Sequence, residues 1–426
     1  MSTESPASVE RRTVLNLVAS LSLEFLTGCA SWFPRQLTPV CPEAPEVSYR
    51  DGPLTIDAHC HVFNGTDLQV SDFLSKVAVK QGGALGEGAR VLGSILQDLA
   101  WSLAPDGLTE LAELRGIAGA LKSCTRAEAS SRVAAMRQLG YSTGRQQLLT
   151  ALRRSSEFRP FLERFNNKAF SQALDEESKV KFDAVSAIES LPEDVETYHA
   201  TRRTGAIAIL SLEGRSARGM IDFVLQNFQY RYVSVHDYLR TYNEPGTRVV
   251  DLMLPSMVDY DWWLSSGSKT PTSLTVQVQV MEQIAILTGG RVHSFVPYDP
   301  LRQIAHNLGH SPEDSFSMVT MAIEQRGCVG VKLYPPMGFA PLGNVEVQGN
   351  KGSDFWVRKW LPDWTSRDDM GFLLDEAMKK VLHWCEHNEV PVMAHTNLSN
   401  GVSRDFEALA GVHYWELVCM RPANTP

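Results

Sequence analysis

The sequence predicts an α/β fold built on a parallel sheet, and three observations carry that expectation. Short apolar runs suited to strands fall at 54–58, 249–254, 291–296, 329–334 and 390–395. Apolar residues three and four apart, the helical spacing, fill 273–289, 313–326 and 371–387 between the later runs. Strands alternating with helices are the pattern of parallel strands joined by right-handed crossovers. The third observation is bulk: 426 residues, 43% hydrophobic and 21% charged, supply a large core and exclude disorder or low-complexity architecture.

Taken in order, residues 1–29 read as an export signal. Arg11 and Arg12 precede the apolar run VLNLVASLSLEFL, which closes on Leu26, Thr27, Gly28 and Cys29. A charged region, a short apolar region and small residues before a cut site form the secretory arrangement. The L-T-G-C ending resembles a bacterial lipobox, which makes Cys29 the lipidated first residue of the mature chain. RRTVLN loosely resembles a twin-arginine signal, and Glu24 inside the apolar run departs from both patterns. The expectation is a bacterial cell-envelope lipoprotein, tethered to a membrane by lipid rather than spanning it. Residues 30–53, with Pro42, Pro45 and Pro53, read as a linker. Residues 66–245 read as a helical insertion, with AIAILSL at 206–212 as the one possible strand inside it. The strand-bearing domain is then 54–65 together with 246–426.

Several classes are excluded. The net charge of −9 argues against a nucleic-acid binder, whose phosphate contacts need clustered Lys and Arg. No uncharged apolar window is long enough for a polytopic membrane protein, and seven cysteines in this length make no disulfide scaffold. Neither a Gly-rich phosphate loop nor a G-x-S-x-G elbow is present.

The strongest chemical signal is Asp57-Ala58-His59-Cys60-His61. Histidines two apart on an extended chain point to the same side, about 6 to 7 Å apart along the strand, with Cys60 turned the other way. Such a pair can converge on one metal ion. The C-terminal end of an early strand in an alternating pattern is where barrel active sites form.

At this point a family resemblance becomes specific. IDAHCHVFN looks like the first-strand signature of the amidohydrolase superfamily, metal-dependent (β/α)₈ barrels. VVDLMLPSMVDYDWW, RVHSFVPYDPLR, GCVGVKLYPPMGF and VPVMAHT, in that order, resemble strands two to five of its amidohydrolase-related branch. The resemblance implies a TIM-barrel-type fold with His59, His61 and His395 as metal ligands and a divalent ion, Zn²⁺ first, as cofactor. It places Lys332 at the mouth, where some relatives carry a bridging carbamylated lysine and others a substrate-facing residue. The implied reaction is metal-dependent hydrolysis of a small molecule, or its decarboxylation, with a metal lowering the pKa of bound water.

The sequence also departs from that pattern. The family expects a sixth-strand histidine and an eighth-strand aspartate. After His395 the chain holds one predicted helix, DFEALAGVHYWELV, in which His413 is a poor stand-in for the histidine, and then CMRPANTP. Three further strand–helix units need on the order of 100 residues. The expectation is therefore an incomplete barrel of about five strands, C-terminally truncated or frameshifted, with two unpaired edges. Two other functions stay open: a non-catalytic envelope lipoprotein or pseudoenzyme that binds a partner, and a metal-dependent DNase of the same superfamily.

The remaining motifs have blander readings. His383-Trp384-Cys385-Glu386-His387 fits an inverted zinc-protease signature, but its helix C-terminus faces away from the catalytic rim. His236 and Asp237 read first as a structural contact, Asp299 as a helix start, and Asp261-Trp262-Trp263 as core with an aromatic pocket as the alternative.

Overall fold

A computed structural model of the chain describes residues 53–78, 84–123, 125–154, 188–198, 200, 225–242, 249–398 and 400–419. The predicted export segment with Cys29, the predicted linker up to residue 52 and the 206–212 run lie outside the described residues.

The described structure is mixed α/β, dominated by helix, with five short parallel strands. They are β1 (Ile56–Cys60), β2 (Leu252–Pro255), β3 (Phe295–Pro297), β4 (Gly330–Leu333) and β5 (Val392–Ala394). β1 pairs with β2, and β3, β4 and β5 form a ladder in that order. Parallel bridges Met253↔Val292 and Ser256↔Phe295 join the two ladders. Strand order in space thus follows chain order, and all five carboxyl ends lie along one edge. Pro255 and Pro297 are the last residues of β2 and β3. At the two ends, Leu54 just before β1, Ile56 at its start and Leu398 beyond β5 are exposed.

Each predicted crossover helix forms. Before β2 stand α1 (Ala84–Leu103), α2 (Gly107–Leu121), α3 (Arg126–Arg154) and α4 (Arg231–Thr241). Between β2 and β3 lie α5 (Asp261–Ser265) and α6 (Leu274–Leu287), and between β3 and β4 lie α7 (Pro300–Asn307) and α8 (Ser315–Arg326). α9 (Asn344–Lys351) and α10 (Met370–His387) precede β5, and α11 (Arg404–Glu407) and α12 (His413–Cys419) follow it. Local chemistry sets their starts. Asp106, Ser273 and Asp314 cap α2, α6 and α8 by accepting amide hydrogen bonds, and Gly327 ends α8 in the left-handed conformation at φ 74°. α10 buries Leu374, Met378, Val381 and Cys385, one face at helical spacing.

One expectation fails. The single helix predicted over 405–418 is broken into α11, a tight 3₁₀ turn at Ala408–Ala410, and α12. Gly411 adopts an extended conformation, donates its amide to the Ala408 carbonyl and stops the helix there.

The helical block joins the sheet through one buried charge network. Arg231 at the start of α4 is 1% exposed. Its Nε donates to Asp67 Oδ2 at 2.8 Å, its Nη2 pairs with Asp67 Oδ1, and its Nη1 donates to Glu110 Oε2 at 2.5 Å. Glu110 also accepts the Tyr232 amide, and Asp67 accepts the Asn64 amide. Burial pushes the Glu110 carboxyl up, with Arg231 opposing. Burial works against the Arg231 charge as well, but Asp67 and Glu110 outweigh it. Removing one partner strands the others, so Arg231→Met is expected to cost about 3–5 kcal/mol in chemical denaturation. A loss below about 1 kcal/mol, the scale of exposed pairs, contradicts this account.

Candidate functional site

The parallel strands gather the predicted polar residues on one edge. His59 stands in β1 and His61 one residue beyond it, both facing solvent, while Cys60 packs against the core. Their ring centroids are 5.5 Å apart. The His61 Nδ1 lies 2.8 Å from the Ser256 carbonyl oxygen, just past β2. With Nδ1–H donating there, the Nε2 lone pair is left outward, the arrangement a ligating histidine uses. Burial of part of the ring lowers the His61 pKa; the Ser256 contact opposes this, and the charges of Lys332 and His59 add to it. Asp57, two residues before His59, accepts the His59 amide at 3.2 Å and the Tyr238 hydroxyl from α4 at 2.5 Å.

Lys332 is the third position of β4 and is 2% exposed. Its Nζ has no hydrogen-bond acceptor among the described residues. Burial alone pulls its pKa down to about 8. Two residues on, Tyr334 stacks on the His395 ring at 4.4 Å between centroids and meets Tyr260 edge-on at 5.1 Å. The His395 amide donates to the Leu333 carbonyl at 3.1 Å, fixing its backbone beside β4. His59 and His61 are therefore brought together, Lys332 lies within electrostatic reach of His61, and His395 is held on the same edge against Tyr334. Among the described residues no three His, Cys, Asp or Glu side chains converge to hold a metal ion. The histidine pair fits as two ligands of such an ion; the described residues do not complete the set.

A narrow cleft with room for about one water molecule lies over the ends of β2, β3 and β4, lined among others by Lys332, Tyr334, Trp263, Phe339, Tyr298 and Asp299. Beneath it lies a compact charge cluster. Arg302 of α7 makes a bidentate pair with Asp259, both bonds 2.7 Å, reaches Asp261 at 2.9 Å and pairs with Glu313. Asp299 caps α7 by accepting from the Leu301 and Arg302 amides, and it accepts Trp263 Nε1 at 2.8 Å. Burial, then the Asp259 charge, pushes the Asp299 carboxyl up to about 8, and the same causes push Asp261 up to about 7.

The blander sequence readings hold here. Asp299 is a helix start, and Trp262 and Trp263 are buried, Trp263 forming one wall of the cleft as well. His236 and Asp237 both meet Arg137 of α3 in a structural contact. His383 and His387 are exposed near the end of α10, and His413 opens α12 on the surface. Sequence reasoning missed Ser256, Tyr238 and the Asp259–Arg302 pair. Tyr334 is visible two residues after Lys332 in KLYPP, but nothing in the string reveals its stacking partner. No protein-family model, curated protein or solved structure matches the chain.

The Asp299 environment has a pH signature. Its folded pKa is raised from 3.8, so the native state keeps a proton that the unfolded chain releases. That contribution is fully present below about pH 4 and is lost as pH rises through about 8. Asp299→Asn retains a capping oxygen and the Trp263 acceptor but cannot titrate. Urea midpoints for the native chain should fall between about pH 5 and about pH 8.5, and the variant's should fall less. Parallel curves would show that Asp299 is ionised in the fold.

Proposed function

We propose that residues 54–65 and 246–426 form a barrel-type (β/α) sheet of the amidohydrolase kind, acting on a small molecule at its carboxyl edge. The observation that carries this reading is the strand order: five parallel strands follow chain order, so one edge collects His59, His61, Lys332 and His395. In open and closed parallel α/β sheets alike, ligands sit outside the carboxyl ends of the strands.

In this reading His59 and His61 hold a divalent ion, Zn²⁺ first, with His395 as the third candidate ligand on the resemblance to that superfamily. Such an ion supplies a lowered pKa for bound water and polarisation of a carbonyl. The protein's own part is positional. The Ser256 carbonyl selects the His61 tautomer, Asp57 holds the backbone of His59, and Tyr238 ties Asp57 to the helical layer. Tyr334 orients His395 by stacking. Hydrolysis and decarboxylation are both compatible with this edge. Export and lipid attachment through Cys29 accompany the proposal, and no described helix is long and apolar enough to cross a membrane.

The alternative is a non-catalytic envelope lipoprotein that binds a partner; among the described residues no group of three His, Cys, Asp or Glu side chains is placed to hold a metal ion. Metal content of the purified monomeric chain separates the two. About one equivalent of zinc or manganese, lost in His59→Ala/His61→Ala, is the expected result. A metal-free native chain that stays soluble and monomeric favours the binding protein.

A further inference from the structure

We propose that His383 and His387 form a two-histidine site for a divalent transition-metal ion on the outer face of α10, with water filling the rest of its coordination shell. The site is separate from the carboxyl edge and does not rest on the function proposed above.

The helix sets the geometry. α10 runs unbroken from Met370 to His387, so residues four apart are neighbours, with Cβ atoms about 5 to 6 Å apart. His383 follows Val381 by two residues and His387 follows Cys385 by two, roughly 200° round the helix in each case. Val381 and Cys385 are buried in the core, which holds the opposite face, and both imidazoles with it, in solvent.

Both rings are available. Among the described residues neither makes a hydrogen bond, an ion pair or a ring contact, and both are exposed. The other described histidines each touch a carbonyl, a charged group or an aromatic ring. Two imidazoles at this spacing, with their nitrogens unengaged, are the helical arrangement that grips a metal ion from one side.

The surrounding charge suits a cation. The pair ends α10, where the helix dipole is negative, and the exposed Glu386 and Glu389 lie beside it. One turn earlier, Lys379 is paired with Glu376 at 2.7 Å.

Imidazole favours Cu²⁺, Ni²⁺ and Zn²⁺ over Mg²⁺ and Ca²⁺, which take oxygen ligands. Among the described residues no third His, Cys, Asp or Glu side chain joins the pair. Water-activating zinc sites use three protein ligands, so the assignment is to binding and not to peptide cleavage. An ion on two ligands exchanges during purification and is distinct from the retained metal discussed above. The last turn of α10 lies before β5, and His395 follows that strand, so the pair stands at the opposite end of β5 from the carboxyl edge.

The test titrates Cu²⁺, which binds imidazole most tightly of these ions, into the full chain stripped with EDTA and followed by calorimetry. One equivalent should weaken roughly 10-fold or more in His383→Gln and in His387→Gln, since loss of even a group behind a ligand costs that much. Gln is a good helix former at an exposed position, so both variants keep the fold. The same equivalent should persist in His413→Gln, another exposed histidine, and in His59→Ala/His61→Ala, so failure of the carboxyl-edge site leaves this result standing. Excess Mg²⁺ should not displace it. Cu²⁺ binding that is absent, that survives either glutamine variant unchanged, or that Mg²⁺ displaces overturns the proposal.

Discussion

The buried guanidinium of Arg231 is the interaction on which the arrangement of the rest depends. It reaches Asp67, just beyond the histidine strand, and Glu110 in the helical layer, two elements with no local reason to meet. Around it Asn64 accepts from Thr66 and donates to the Pro105 carbonyl, and Gly65 donates to Asn227. The segment leaving β1 is thereby fixed at several points within four residues. Among the described residues β1 is paired on one side only, by β2, so these anchors add to what holds the two imidazoles at a set distance. The helical block is thus part of the site's frame and not an ornament on the sheet.

Charge is distributed unevenly below the carboxyl edge. Arg231 and Arg302 are each surrounded by acids, which offsets the desolvation that burial imposes on them. Burial and the neighbouring Asp259 charge push the Asp299 and Asp261 carboxyls up. Lys332 stands apart from these groups. Among the described residues its Nζ is a buried cationic atom without a partner, in contrast to the acid-surrounded guanidinium groups of Arg231 and Arg302.

Much of this was legible in the string of residues, for identifiable reasons. Strand positions show as apolar runs, and the helices of 274–287, 315–326 and 370–387 as three-and-four spacing, because both periods are local. The bounds of β1 were misplaced by about two residues. They are set by pairing to β2, with the Asp251 amide on the Thr55 carbonyl and the Ser256 amide on the Cys60 carbonyl, and no local rule contains those partners. The histidine pair was readable from its spacing alone. What holds it was not: Ser256 lies 195 positions from His61, and Tyr238 lies 181 from Asp57. Gly411 was in plain view, yet a glycine interrupts a helix only when its backbone turns extended, which depends on the packing around it.

The distance along the chain between β1 and β2 also bears on the order of assembly. The Thr55 amide bonds to the Asp251 carboxylate across 196 residues, and among the described residues no strand lies between β1 and β2. Closing a loop that long costs entropy that grows only slowly with length, so the final state does not suffer much. The kinetics do. At ordinary elongation rates β1 waits on the order of 10–40 s for its partner to be made. During that interval His59 and His61 sit on an unpaired apolar strand, available to any chaperone or export factor that reads extended segments. The strand that carries His59 and His61 is therefore the first part of the sheet to be synthesised, and its pairing waits on β2.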